Sequence, residues 1–179
     1  MPLDTGLIQV YYGQGKGKTT AALGLALRAA GQGLRVYFVQ FLKPRFLSSG
    51  EMNLAPALGA DFVIERVNED SYIGTISQEL KAKSRQHISQ AVIRLQTVIQ
   101  NYDFDLIVLD EILNVLTLEL ISEMELKNLI TCKHPQVELV LTGRTAPEWL
   151  IKQADLVTEI KLIKHPYQRG IKARRGIEF

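Results

Sequence analysis

Residues 13–20 read Gly-Gln-Gly-Lys-Gly-Lys-Thr-Thr, between an apolar run and a segment rich in alanine and leucine. That stretch limits the folds open to the chain. Three closely spaced glycines let the backbone curl so that successive N–H groups converge on anionic oxygens. A helix starting directly behind them adds its unpaired amides and the positive end of its dipole. Strand, glycine loop, helix is the order such a cradle requires, and it points to an α/β fold whose ligands lie at the carboxyl ends of the strands.

The rest of the chain repeats that order. Apolar, β-branched runs at residues 7–12, 36–41, 62–64, 106–109 and 139–141 predict strands, with a possible sixth at 157–163. Several are continuously apolar, as expected for strands covered on both faces. Between them, residues 19–30 predict a helix closed by Gly31, and residues 76–100 a long helix with Ile88, Val92, Leu95 and Ile99 on one face. Shorter helices are predicted at 122–131 and 147–154, the second opened by Pro147. The reading is a single domain over residues 1–179: a doubly wound, mainly parallel α/β sheet in a three-layer, P-loop NTPase-like (RecA-like) fold. Residues 43–59 read as a long loop over the edge that carries the glycine loop.

Composition removes several alternatives. Lysine and arginine number 21 against 19 acidic residues, so no overall charge favours nucleic acid or an anionic membrane. Residues 168–175 are basic but lack interleaved aromatics, and read as a solvated tail or closing strand. Cys132 is alone, which excludes an internal disulfide framework and fits a reducing compartment. No apolar run reaches membrane-spanning length and no leader pattern opens the sequence, so the expectation is a cytoplasmic protein with no membrane partner.

Within the loop, Lys18 brings a compact cation to the phosphates and the Thr19 hydroxyl is placed to ligate Mg2+, which makes ATP the expected ligand. Gly13, Gln14, Gly15, Lys16, Gly17 and Thr20 complete the cradle, with Lys16 read as a second phosphate contact in preference to a merely solvated lysine. The general motif has a glycine five residues before Gly17; Tyr12 stands there, and the loop starts one residue late. A second element, Leu-Ile-Val-Leu at 106–109 followed by Asp110 and Glu111, is a strand ending in two carboxylates of the Walker B kind. One acid can hold the metal and the other a second ligand or a reacting group. A third, Leu141-Thr142-Gly143-Arg144, brings a guanidinium to the same edge. His87, His134 and His165 form no catalytic set; the last two each precede a proline and read as turn or packing residues.

These motifs leave the chemistry open, since the same cradle serves hydrolases, kinases and transferases. Taken in order, however, the shortened loop, Val39-Gln40-Phe41, Gly50-Glu51-x-Asn53, Leu109-Asp110-Glu111 and Thr142-Gly143-Arg144 resemble the P-loop ATP:corrinoid adenosyltransferases. The resemblance continues through Ala154-Asp155-Leu156-Val157-Thr158-Glu159 and Lys164-His165-Pro166-Tyr167 to Gly170-Ile171-Lys172-Ala173, and so covers nearly the whole chain. The late-starting loop is the form this family uses.

The resemblance implies transfer of the 5′-deoxyadenosyl group of ATP to cobalt(I) of a reduced corrinoid, with release of tripolyphosphate, in cobalamin biosynthesis or salvage. It implies a nucleotide lying in the loop in the direction opposite to that in ordinary NTPases, an electron-donating reductase as partner, and a homodimer. Lys18, Glu111 and Arg144 take the catalytic roles, Thr19, Asp110 and Glu111 the metal, and the segment with Glu51 and Asn53 covers nucleotide or corrinoid. Family members carry a Phe and a Trp, two residues apart, after the third strand, where they help strip cobalt of its lower ligand. Here the only aromatic in 67–74 is Tyr72, either a replacement wedge or a loop residue packed on its neighbours. The competing readings are a P-loop ATPase or small-molecule kinase, which would release ADP or orthophosphate, and a non-catalytic ATP- or corrinoid-binding module. Lys18→Ala should abolish ATP binding in an equilibrium titration, and Glu111→Ala should reduce turnover more than nucleotide affinity.

Overall fold

The computed structural model describes residues 3–43, 48–67 and 78–178. Six strands form one parallel sheet: β1 (Ile8–Tyr12), β2 (Val36–Gln40), β3 (Phe62–Arg66), β4 (Leu106–Asp110), β5 (Glu138–Gly143) and β6 (Leu156–Glu159). Their order across the sheet is β3-β2-β4-β5-β1-β6. Register sets Gln40 beside Asp110 and Tyr12 beside Gly143, so the ends of β1, β2, β4 and β5 share one edge.

Alternation along these strands divides the core in two. Val36, Phe38, Leu106, Val108 and Val140 face helix α1 (Lys18–Gly31), where Ala22, Ala26 and Ala29 let the helix approach closely. Tyr37, Val39, Ile107, Leu109, Leu139 and Leu141 face the opposite layer. There α3 (Gln78–Gln100) contributes Ile88, Val92, Leu95 and Ile99, and α5 (Glu123–Thr131) contributes Leu126, Leu129 and Ile130. Burial on both faces is why the strands lack a polar alternation.

Several expectations change. Residues 43–59 are no simple loop: Gly50–Leu54 forms a short helix, α2, continued by a 3-10 turn at Ala55–Leu58 with Pro56 in its first turn, where the missing N–H is tolerated. Helix α4 (Ile112–Thr117) went unanticipated because Ile-Leu-Asn-Val-Leu-Thr carries β-branched residues and no capping signal beyond Glu111. Helix α1 includes Gly31, and the left-handed residue that ends it is Gly33, with φ 77° and its amide donating to the Ala30 carbonyl at 2.9 Å. Helix α6 (Glu148–Gln153) does start behind Pro147. β6 stops at Glu159 rather than 163, because the Ile160 carbonyl turns to the glycine loop.

At the opposite end of the sheet, Asp105 ties β2 to β4. Its carboxylate accepts from the Arg35 backbone amide at 2.7 Å and from the guanidinium at 3.1 Å. Burial alone would raise its carboxyl, but the Arg35 hydrogen bonds and charge reverse this and hold it at about 2. Its stabilising contribution is therefore complete above about pH 4 and lost as pH falls toward 2. Asp105→Asn should lower the melting temperature at neutral pH and flatten its decline between about pH 4 and pH 2, measured by thermal melts across that range.

Candidate active site

The loop between β1 and α1 is shaped by backbone contacts that only glycine permits. Gly13 and Gly17 have φ of 117° and 125°. The Gly13 amide donates to the Arg144 carbonyl at 3.1 Å and the Gly15 amide to the Ile160 carbonyl at 2.8 Å, which fastens the loop to the residues following β5 and β6. A methyl on Gly15 would stand 2.7 Å from the carbonyl oxygens of Ile160 and Lys161. The buried Lys18 ammonium lies across the loop and donates to the carbonyls of Gly13 and Gly15, each at 2.7 Å. Burial pushes this lysine down; Glu111 and Asp110 oppose that, and Arg144 adds to it.

Asp110 ends β4 with its side chain fully buried. Its Oδ1 accepts from the Thr19 hydroxyl at 2.9 Å and the Thr142 hydroxyl at 2.8 Å, and its Oδ2 receives Lys43 Nζ at 3.2 Å. One carboxylate thus joins the loop, β5 and the chain after β2. Glu111 follows in left-handed geometry, φ 68°, with its amide donating to Thr142 Oγ1 at 2.8 Å and its carboxylate accepting from Asn114. Burial, and then the adjacent Asp110 charge, push the Glu111 carboxyl up.

Helix α2 is held over this edge by polar groups. Arg66, buried at the end of β3, donates to Gln40 Oε1 at 2.9 Å and Ser49 Oγ at 2.6 Å. Gln40 in turn donates to Glu51 Oε1 at 3.0 Å. Burial acts to raise the Glu51 carboxyl, but the bonds from Gln40, the backbone and Ser49, with the Lys43 charge, outweigh it and hold the group low. A cavity of about 650 Å³ opens between α1 and α2, with Lys16, Lys18, Thr19, Lys43, Glu51 and Glu111 along its polar side. Leu23, Leu27, Leu54, Leu58, Phe62 and Ile64 form its apolar side.

The family model described as ATP:corrinoid adenosyltransferase BtuR/CobO/CobP matches residues 4–179. The chain belongs to the ATP:corrinoid adenosyltransferase family. A corrinoid adenosyltransferase of a Sinorhizobium species is 34% identical over 177 residues, 98% of this chain and 81% of the relative. Its counterpart in Escherichia coli K12 is 30% identical over 176 residues, 98% of this chain and 87% of the relative. The flagellar accessory protein FlaH of Methanocaldococcus jannaschii superposes with a TM-score of 0.58 over 89% of this chain and 72% of FlaH. At 13% identity that likeness concerns the fold alone. Family membership makes the chain a transferase that uses ATP and a corrinoid in cobalamin metabolism.

Against that family reading, the loop residues from Lys16 to Thr20 line the cavity together with Glu51 and Glu111, and Thr19 meets Asp110 beside them. Gln14 is exposed, and Lys16 pairs with Glu178 at 3.1 Å. Arg144 is exposed and outside the cavity lining; its amide donates to Asn114 Oδ1 at 2.7 Å and its charge reaches Lys18 and Glu111. Asn53 is likewise exposed and outside the lining. Tyr72 lies outside the described residues. His134 stacks on Tyr102 with ring centroids 4.9 Å apart, and His165 Nδ1 accepts the Tyr167 amide at 3.1 Å.

The sequence reading gave no role to Lys43, Asn114 or residues 176–178, the last lining the cavity near the loop, and quoted Thr142 only as part of a motif. Thr142 was within reach: a hydroxyl at the end of an apolar strand must find a partner when buried. Gly15→Ala should force backbone to shift at an estimated cost of about 1–3 kcal/mol. A lower melting temperature together with roughly tenfold or weaker ATP binding in calorimetry is the expected outcome.

Proposed function

We propose that the triphosphate of ATP lies in the 13–20 loop, that Mg2+ is held by Thr19 and the Asp110–Glu111 pair, and that adenosyl transfer to a reduced corrinoid takes place over this edge. The contact between the Thr19 hydroxyl and Asp110, 2.9 Å, carries the reading, because it joins the loop that would take phosphate to the carboxylate that would take the metal. The donor set fits Mg2+: all are hard oxygens, and no cluster of three or more acidic, histidine or cysteine ligands occurs among the described residues. A site with few protein ligands leaves positions for phosphate oxygens and water, as Mg2+ prefers. When bound, the ion supplies neutralisation of the triphosphate charge.

In the transfer, cobalt(I) gives an electron pair to the ribose C5′, the C5′–O5′ bond breaks, and that bond's electrons leave on tripolyphosphate. No proton has to be removed, so no general base is needed; no histidine is among the residues lining the cavity. What the chain supplies is orientation and positive charge near the leaving oxygen. Lys18 is the central cation, with Lys16 and Arg144 farther out. The left-handed turn at Glu111 directs that carboxylate across the edge, where it would help hold Mg2+ and orient the nucleotide. Glu51 and the apolar side of the cavity serve the nucleoside or corrinoid.

The reading extends to a homodimer in the cytoplasm, served by an electron-donating reductase and requiring neither membrane nor nucleic acid. The apolar edge around β6, with Leu156, Val157, Leu162 and Ile163 exposed, supports self-association. Among the described residues no helix is long and apolar enough to cross a membrane. An anaerobic assay with Mg2+, ATP and chemically reduced corrinoid tests the chemistry. The expected result is a light-sensitive cobalt–carbon product with stoichiometric tripolyphosphate. ADP and orthophosphate with unchanged cobalt would place the scissile bond at phosphorus and overturn the reading.

A further inference from the structure

The chain after β2 does something unusual. Phe41 continues the pairing with β4, its amide donating to the Asp110 carbonyl at 3.0 Å. Leu42 then adopts φ 59°, left-handed geometry that a leucine rarely takes, while its side chain packs on the core. The turn brings Lys43 back over the strand ends, where its ammonium reaches Asp110 Oδ2 at 3.2 Å and Glu51 Oε1 at 3.8 Å. Strain of this kind persists where the surroundings over-determine it, and it concentrates at ligand-binding positions.

Neutralising Asp110 is one use of that cation, but the geometry exceeds it. Asp110 Oδ2 is shared at 3.2 Å by Lys43 Nζ and the Thr19 hydroxyl, so the ammonium and the first turn of α1 meet on one carboxylate oxygen. It lines the same cavity as Lys16, Lys18 and Thr19. Its second acidic partner, Glu51, is fixed independently by Gln40 and close to the buried Arg66, whose NH2 lies 3.9 Å from Glu51 Oε1. Lys43 can therefore release Asp110 while Glu51 still holds it at the cavity wall, with three ammonium protons to distribute.

We propose that Lys43 is a phosphate-binding residue of the transfer site, exchanging Asp110 for an oxygen of the triphosphate and stabilising tripolyphosphate as it leaves. The inference rests on the placement of the triphosphate in the 13–20 loop. A flexible point charge suits this task, because the charge on the leaving group grows during the reaction while the carboxylates remain fixed.

Calorimetry with Mg2+ and inorganic tripolyphosphate tests it without any corrinoid. Lys43→Met should weaken tripolyphosphate binding at least tenfold, and Lys43→Arg should recover most of the loss. A lower melting temperature with tripolyphosphate affinity within twofold of the wild type would mean that Lys43 only neutralises Asp110, and would overturn the proposal. On the wild-type protein, tripolyphosphate should protect Lys43 from amine acetylation read by mass spectrometry; equal labelling with and without it would also overturn the proposal. If the wild type binds tripolyphosphate and Lys18→Ala does not weaken it, the placement of the triphosphate fails first, and the role of Lys43 falls with it.

Discussion

Asp110 is the point on which the site depends. A fully buried carboxylate is costly unless hydrogen-bonded and balanced by charge. Its partners here come from three separate stretches of chain: Thr19 at the start of α1, Thr142 at the end of β5, and Lys43 beyond β2. Together they satisfy both carboxylate oxygens. The requirement fixes where the glycine loop sits relative to the strand ends, and so fixes the distance between the loop amides and the acidic pair. The sheet order makes this possible, because β4 lies between β2 and β5.

Two departures from ordinary backbone geometry flank that carboxylate. Leu42 and Glu111, both left-handed, follow the ends of neighbouring strands. Each turn takes a chain leaving the sheet and redirects a charged side chain across the edge, Lys43 in one case and Glu111 itself in the other. The core contacts of Leu42, and the hydrogen bonds that Glu111 makes, its amide donating to Thr142 and its carboxylate accepting from Asn114, hold these conformations in place. Raising the Glu111 carboxyl by burial and by the Asp110 charge has the same origin: two acids held close at a partly buried strand end.

Strand and helix periods reported burial faithfully where burial was complete. Ile88, Val92, Leu95 and Ile99 on α3, and the unbroken apolar runs of β2 and β4, announced their packing directly. The glycine loop was equally legible, because its backbone geometry admits few other residues. What escaped detection had no periodic signal. Helix α4 is six residues of mixed propensity, held by its place beside β5, and α2 is fastened by Arg66 and Gln40 rather than by an apolar stripe. Lys43 looked like the first residue of a loop. Its meaning depends on strand order and on the φ of Leu42, neither of which composition or spacing encodes.

The asymmetry of the two layers explains why a large substrate can be served from so small a domain. On one side of the sheet, α3, α4 and α5 with Leu150 of α6 close a continuous core. On the other, α1 is the one long helix among the described residues, and its alanines reach the sheet while Leu23 and Leu27 turn toward the cavity. A helix covering that flank would have buried more apolar surface, but it would also have sealed the space beside the loop. The apolar wall formed by Leu54, Leu58, Phe62 and Ile64 is therefore a surface the fold leaves open to the cavity, adjacent to the cations Lys16, Lys18 and Lys43. Transfer at carbon, unlike transfer at phosphorus, needs the nucleoside and its acceptor to meet beside the triphosphate. A phosphate cradle opening onto an apolar flank is the arrangement that such a reaction requires.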